Sequence, residues 1–325
     1  MEQRVLGRTG IEVGVVGFGA WQIGAAWGEV SEADAEAALE AARAAGVTFF
    51  DTADVYGDGR SERFVGAFRA RHPEVFAATK MGRRAEQLPE NYSAANFLAW
   101  NDDSRANLGV LALDLVQLHC PPPAVYADDA VFDALDAMVA EGRLRHYGVS
   151  VETCDEALAA IARPNVATVQ IILNPFRQKP LEAVLPAAEK AGVGIIARVP
   201  LASGLLSGRY TAETRFGEDD HRNFNRRGEA FDVGETFAGV DYATGLEAVE
   251  RLRPLVPEGM TMAQFALRWI LDQSAVSVVI PGARNAGQAE SNAAAAGMAP
   301  LGAGVHAEVA RVYDELIRPQ VHERW

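Results

Sequence analysis

Eight short apolar runs, each followed by a stretch with helical spacing, limit most strongly what this chain can fold into. They begin with Val15-Val16-Gly17-Phe18-Gly19-Ala20 and Val47-Thr48-Phe49-Phe50, and continue at residues 75–80, 113–119, 146–150, 166–173, 193–199 and 276–280. Runs of this length, rich in β-branched and aromatic residues, suit strands buried on both faces. Helical signals lie between them. Ser31 and Asp34 form a capping pair for a helix stopped at Gly46, and Val131, Leu135 and Met138 mark an apolar face closed by Gly142. This alternation predicts a parallel sheet, and eight repeats predict a closed (β/α)8 TIM barrel, with residues 1–325 as one catalytic domain. An N-terminal β-hairpin over residues 4–16, turning at Gly7-Arg8-Thr9-Gly10, precedes the barrel.

A doubly wound dinucleotide fold is the rival. Its glycine fingerprint starts at Gly17-Phe18-Gly19, but the third glycine fails because that position is Gln22. One connection breaks the rhythm: a loop of about 40 residues after the seventh strand, from Pro200 to a helix around Leu246. Its place on the carboxyl-terminal face predicts a cover over a bound ligand. Arg222, Arg226 and Arg227 lie there among Asp219, Asp220 and Glu229, and are expected to form a solvated surface.

Charge narrows the choice of partners. A formal net charge of −14 argues against a general nucleic-acid or acidic-membrane binder, so an anionic ligand needs a local cationic arrangement. Two cysteines, Cys120 and Cys154, cannot build a disulfide framework. The start Met1-Glu2-Gln3-Arg4-Val5-Leu6 lacks a signal-peptide core, and no apolar run reaches the length of a membrane span. A cytoplasmic protein is expected.

The carboxyl-terminal strand ends carry the chemistry. The second run ends in Asp51, with Tyr56 five positions on; the third ends in Lys80, the fourth in His119, the fifth in Ser150, and the sixth contains Gln170. Any one has an ordinary alternative, such as a packed tyrosine, a solvated lysine or a capped histidine. In a barrel, however, these ends face one basin. A phenol has a reference pKa near 10, so an adjacent ammonium is expected to lower it toward use as an acid. His119 can donate to a carbonyl oxygen. The set suits protonation of an oxygen while hydride reaches the attached carbon.

With these motifs in order, the chain resembles an aldo-keto reductase along its whole length. The resemblance rests on Gly17-Phe18-Gly19-Ala20-Trp21, Phe50-Asp51-Thr52-Ala53-Asp54-Val55-Tyr56-Gly57, Ala78-Thr79-Lys80, Leu118-His119, Gly148-Val149-Ser150, Val169-Gln170, Pro200-Leu201 and Ile280-Pro281-Gly282-Ala283-Arg284. It implies an NADP(H)-dependent oxidoreductase, with NAD(H) as the alternative cofactor and no metal, acting on a small carbonyl or alcohol as a monomer or homo-oligomer. Tyr56 is then the general acid/base, Asp51 and Lys80 tune it, and His119 orients the substrate, with Trp21 lining the pocket.

For the cofactor, the resemblance implies that Ser150 and Gln170 hold the carboxamide, near Gly19, Ala20 and Trp21. Pro200, Leu201, Ser203, Gly204, Leu206, Gly208 and Arg209 wrap the diphosphate. Gly282, Ala283, Arg284, Gln288, Ser291 and Asn292 take the adenosine end, with Arg284 on the 2′-phosphate. Three departures stand out. Val151 replaces a common Asn beside the carboxamide, and Ser291 replaces a common Glu at the adenine. Arg198 stands where an aromatic usually stacks on the nicotinamide, and its charge is expected to disfavour bound NADP⁺ relative to NADPH. Two other readings remain: a slow-turnover nucleotide-sensing subunit of the same fold, and another barrel enzyme, such as an isomerase or an aldolase using Lys80 as a Schiff base.

Overall fold

The computed structural model describes residues 1–24 and 30–325. A two-stranded antiparallel hairpin, β1 (Gln3–Val5) and β2 (Glu12–Gly14), opens the chain. Eight parallel strands follow: β3 (Phe18–Gly19), β4 (Phe49–Asp51), β5 (Phe76–Met81), β6 (Leu113–His119), β7 (Leu144–Ser150), β8 (Val166–Ile172), β9 (Gly194–Arg198) and β10 (Val276–Val279). They pair in sequence order, and bridges Val16↔Val279 and Gly19↔Gly282 join the last strand to the first. The sheet is therefore a closed barrel, as its alternating sequence predicts.

The hairpin plugs the amino-terminal end of the barrel. Leu6 and Val13 are fully buried with Phe49, Phe76, Leu115, Ile196 and Val278, so the interior is a packed core. Arg4 donates to the carbonyls of Leu271 and Val276, at 2.8 Å each, and Arg8 to those of Arg163 and Val166. The turn leaves no room for a side chain at Gly7, where φ is +52° and an added Cβ would lie 1.9 Å from the Gly194 nitrogen. Gly7→Ala is expected to destabilise the protein by roughly 2–4 kcal/mol, measured as a lower denaturant midpoint at unchanged slope.

Helices wrap the barrel and begin where caps dictate. The Ser31 hydroxyl accepts from the Asp34 amide at the start of Glu32–Ala44, and the chain leaves that helix through Gly46 at φ +92°. One helix lies outside the amphipathic reading. Met262–Leu271 buries nine of its residues, its polar stripe of Gln264 and Arg268 included, and Thr261 and Gln264 form a capping box at its start.

The long connection after β9 is ordered. It contains the short helix His221–Phe224 and tight turns at Val233–Glu235 and Phe237–Gly239 before the helix Tyr242–Leu252. Val199, Ala202, Ser203, Phe237 and Ala238, which border or lie in it, have φ between +47° and +59°. Such backbone costs energy at residues with a Cβ and persists only where surrounding structure imposes it. The expectation of a solvated arginine group fails at Arg222. Arg222 is buried, ion-paired with Asp220, and donates to the Tyr210 hydroxyl at 2.5 Å. Arg226 lies over the rings of Phe237 and Tyr242. Among the described residues, no helix is long and apolar enough to cross a membrane.

Candidate active site

Strand register brings the chemical side chains to one level. His119 on β6 is paired with Ser150 on β7, and Ser150 with Gln170 on β8, while Lys80 on β5 faces Gln117 on β6. Alternation within a strand puts Gln117 on the same face as His119. Tyr56 enters from the turn after β4, held by its amide to Ala53 O and by Ser61 N to its own carbonyl.

Lys80 is the hub. Its side chain is 1% exposed, and the ammonium donates to Asp51 Oδ1, to Thr52 O at 2.9 Å and to the Tyr56 hydroxyl at 3.4 Å. An ammonium has three protons, and each has an acceptor. Burial pulls the Lys80 pKa down, but attraction to Asp51 and Tyr56 outweighs it, so the net shift is upward. A charged, ion-paired amine is a poor Schiff-base nucleophile, which opposes the Schiff-base reading. The other Asp51 oxygen accepts from Gln170 Nε2 at 2.8 Å and Gln117 Nε2 at 3.2 Å. Gln117 escaped the sequence reading, though its spacing from His119 could have revealed it.

Tyr56 differs from expectation in its electrostatics. Burial pushes its pKa up, Lys80 pulls it down, and Asp51 and Glu235 push it up again, for a net rise. The phenol is thus fully protonated at neutral pH, which is the form an acid requires. His119 is held well below the usual imidazole range, by burial first and then by Arg83, Lys80 and Arg198. Its Nδ1 is buried without a hydrogen-bond partner. A buried lone pair is tolerated better than a buried orphan N–H, so the proton belongs on Nε2. The imidazole and the Tyr56 ring meet edge-on at 6.0 Å, and Trp21 stacks on Tyr56 at 5.8 Å.

These groups form one end of a cavity of about 720 Å³, within the range of small-ligand and cofactor sites. Asp51, Tyr56, His119, Ser150, Gln170 and Arg198 line that end. Pro200, Leu201, Ser203, Gly204 and Arg209 line it as well, as do Gly282, next to Gly19, and Arg284, Gln288, Ser291 and Asn292 beyond it in the chain. Gly19 and Trp21 also face it, and Lys80 lies behind Tyr56.

Five expected cofactor residues are not in that wall: Ala20, Val151, Leu206, Gly208 and Ala283. The side chains of Ala20, Val151, Leu206 and Ala283 are fully buried in the apolar core, and Gly208 ends the turn behind the wall at φ +68°. Val151 acts through its carbonyl, which accepts from Arg198 at 3.0 Å. The sequence reading also missed Glu235, Tyr210, Arg253 and Thr261, which line the cavity from the long loop and the helices behind it.

A helix also presents its amino terminus to the cavity. The Asn285 side chain accepts from the Gln288 amide to cap Ala286–Ala294, and Gln288 Oε1 accepts from the Arg284 amide at 2.9 Å. Asn292 Nδ2 donates to Gly282 O at 3.1 Å, and Ser291 accepts from Gln264. Gln288 and Asn292 thus brace the loop that carries Arg284, while Ser291 ties this helix to Met262–Leu271. An arginine at a helix N-terminus suits a phosphate.

Arg198 is not an isolated cation. Its guanidinium donates to Glu152 Oε2 at 2.8 Å and lies 3.7 Å from Glu235. Burial works to raise the Glu152 carboxyl, but Arg198 and Arg83 outweigh it and hold it below its usual range. Cys120 Sγ lies close to both carboxylates, a grouping with metal-ligand spacing. Burial pushes that thiol up to about 12, and two guanidiniums already occupy the carboxylates, which opposes a cation there.

Comparison with known proteins agrees with this geometry. The Aldo/keto reductase family model matches residues 15–314. The aldo-keto reductase YhdN of Bacillus subtilis is 31% identical over 299 residues, which cover 90% of this chain and 87% of that protein. An Arabidopsis thaliana protein described as a probable voltage-gated potassium channel subunit beta is 29% identical, over 93% of each chain. The holo form of an aldo-keto reductase from Bacillus halodurans has the same fold, with a TM-score of 0.76 at 26% identity over 96% of both chains. The chain belongs to the aldo/keto reductase family.

Proposed function

We propose that the protein is a cytoplasmic NADP(H)-dependent oxidoreductase that interconverts a small aldehyde or ketone with its alcohol. The observation that carries this reading is the Lys80 ammonium bridging Asp51 and the Tyr56 hydroxyl beside His119. Both cysteines are unpaired, which fits a reducing compartment. A nucleotide fits the cavity, which joins a proton-donating end to an arginine at a helix N-terminus through a left-handed loop at Ala202–Gly204. NADP(H), when bound, exchanges hydride with the carbonyl carbon.

The residues perform the remaining work. His119 donates from Nε2 to the carbonyl oxygen and orients it toward Tyr56. Tyr56 delivers its proton to that oxygen as negative charge develops there, and Lys80 stabilises the phenolate left behind. Asp51, held by Gln117 and Gln170, keeps Lys80 charged and in place. With its amide nitrogen engaged, Gln170 retains Oε1 to accept from the carboxamide. Trp21, stacked on Tyr56 and 5.0 Å from His221, walls the substrate side.

Arg284→Gln is expected to weaken NADPH binding roughly tenfold or more and leave NADH nearly unchanged, because a charge-assisted bond to the 2′-phosphate contributes about 1.5–3 kcal/mol. Titration with both nucleotides checks it; equal loss for the two would remove Arg284 from the phosphate. The second reading, a nucleotide-sensing subunit, is supported by the relative described as a channel subunit. A panel of aldehydes, ketones and alcohols assayed with both cofactors separates them. Turnover supports the enzyme, whereas tight binding with negligible turnover supports the sensor.

A further inference from the structure

Beside the proton-donating end, two buried side chains, Arg198 and Glu235, and two part-buried ones, Arg83 and Glu152, form a ring of alternating charge. Arg83 Nη2 lies 3.0 Å from Glu152 Oε1 and 3.1 Å from Glu235 Oε1. Arg198 completes the circuit through Glu152 Oε2 at 2.8 Å and Glu235 Oε1 at 3.7 Å. Each member comes from a different segment. Arg83 follows β5, Glu152 follows β7, Arg198 ends β9, and Glu235 belongs to the long loop. Side-chain exposures of 21% for Arg83, 14% for Glu152, 8% for Arg198 and 9% for Glu235 leave little screening by water. The formal charges cancel, two against two, and removing one leaves its neighbours uncompensated.

The position of the ring gives that balance a consequence. Arg198 and Glu235 line the cavity, and Arg198 Nη2 lies 3.9 Å from the sulfur of Cys120, the residue after His119. A redox ring that exchanges hydride with a carbonyl held by Tyr56 and His119 has to lie within about 3–3.5 Å of the carbonyl carbon. Its neighbours on the wall are then Ser150, Gln170 and Arg198. The oxidised nicotinamide carries a positive charge and the reduced one does not. Any uncompensated charge at Arg198 therefore acts on one redox form and spares the other.

Resting on the NADP(H) reading above, we propose that Glu152 and Glu235 are positioning residues that hold Arg198 against the nicotinamide subsite and cancel its charge. In this arrangement the arginine offers a planar cationic face to the ring, yet NADP⁺ is not repelled. Glu235 also makes the long loop part of the redox site, since half of the compensating charge arrives with it.

The test is the ratio of dissociation constants for NADP⁺ and NADPH, read by tryptophan fluorescence in the full-length protein. Glu235→Gln leaves the ring with one net positive charge and is expected to raise that ratio about tenfold, mainly by weakening NADP⁺. Glu152→Gln moves it the same way, and Arg198→Gln moves it the opposite way. The double variant Arg198→Gln/Glu235→Gln, again neutral, is expected to return within about twofold of the wild-type ratio. A ring that only fastens the loop would weaken both nucleotides by the same factor in Glu235→Gln, and that result overturns the proposal. If Glu235→Gln fails to fold, Glu152→Gln and the neutral double variant carry the same comparison. Failure of the wild type to bind either nucleotide would instead sink the cofactor reading itself.

Discussion

Tyr56→Phe is expected to lower carbonyl reduction by about 10²- to 10⁴-fold while cofactor affinity stays close to wild type. The substitution removes the hydroxyl that Lys80 reaches at 3.4 Å and leaves the ring that Trp21 stacks on. Packing is therefore preserved and only the proton is lost. The pH dependence follows from the same group. Burial, aided by Asp51 and Glu235, outweighs Lys80 and keeps the Tyr56 pKa above its ordinary value. The acid form persists through neutral pH, so wild-type reduction should be flat there and fall only on the alkaline side. Oxidation of the alcohol needs the phenolate and should climb as pH rises. Steady-state rates in both directions across neutral pH check this; a reduction rate that drops through neutrality contradicts it.

Lys80→Met is the second large effect, and it acts on two properties at once. The phenolate loses its counter-charge, so turnover should fall at least as far as in Tyr56→Phe. Asp51 is 2% exposed and loses its cation, and an unpaired buried carboxylate of this kind costs about 3–5 kcal/mol. Asp51→Asn/Lys80→Met removes both charges, so it should recover much of the stability and none of the activity. Denaturant midpoints and turnover measured on the same samples test the pair. Recovery of activity in the double variant would show that Lys80 serves the fold and not the chemistry.

The barrel was legible because its strands are nearly pure apolar runs separated by capped helices, a pattern few other folds share. The residues at strand ends were legible for the same reason: once the runs are located, Asp51, Lys80, His119 and Ser150 mark their ends. Illegibility has physical causes as well. The Gln117 role depends on strand parity with His119 and on register with Lys80. Glu235 lies in a loop without periodicity, and nothing in its spacing indicates contact with Arg83 and Arg198. Burial of Arg222 arises from Asp220 and Tyr210, partners whose proximity only the folded loop reveals. Most telling is Tyr56, where pairing with Lys80 was foreseen but the larger effect of burial was not.

The most direct test of the account follows deuterium from NADPH labelled at nicotinamide C4 into the alcohol product in single turnovers of wild type and Tyr56→Phe. The account predicts label at the carbonyl carbon in the wild type, and in the variant a nucleotide that binds normally but transfers label at least about a hundredfold more slowly. Equal transfer rates in the two proteins, or product from the wild type without label, would contradict it.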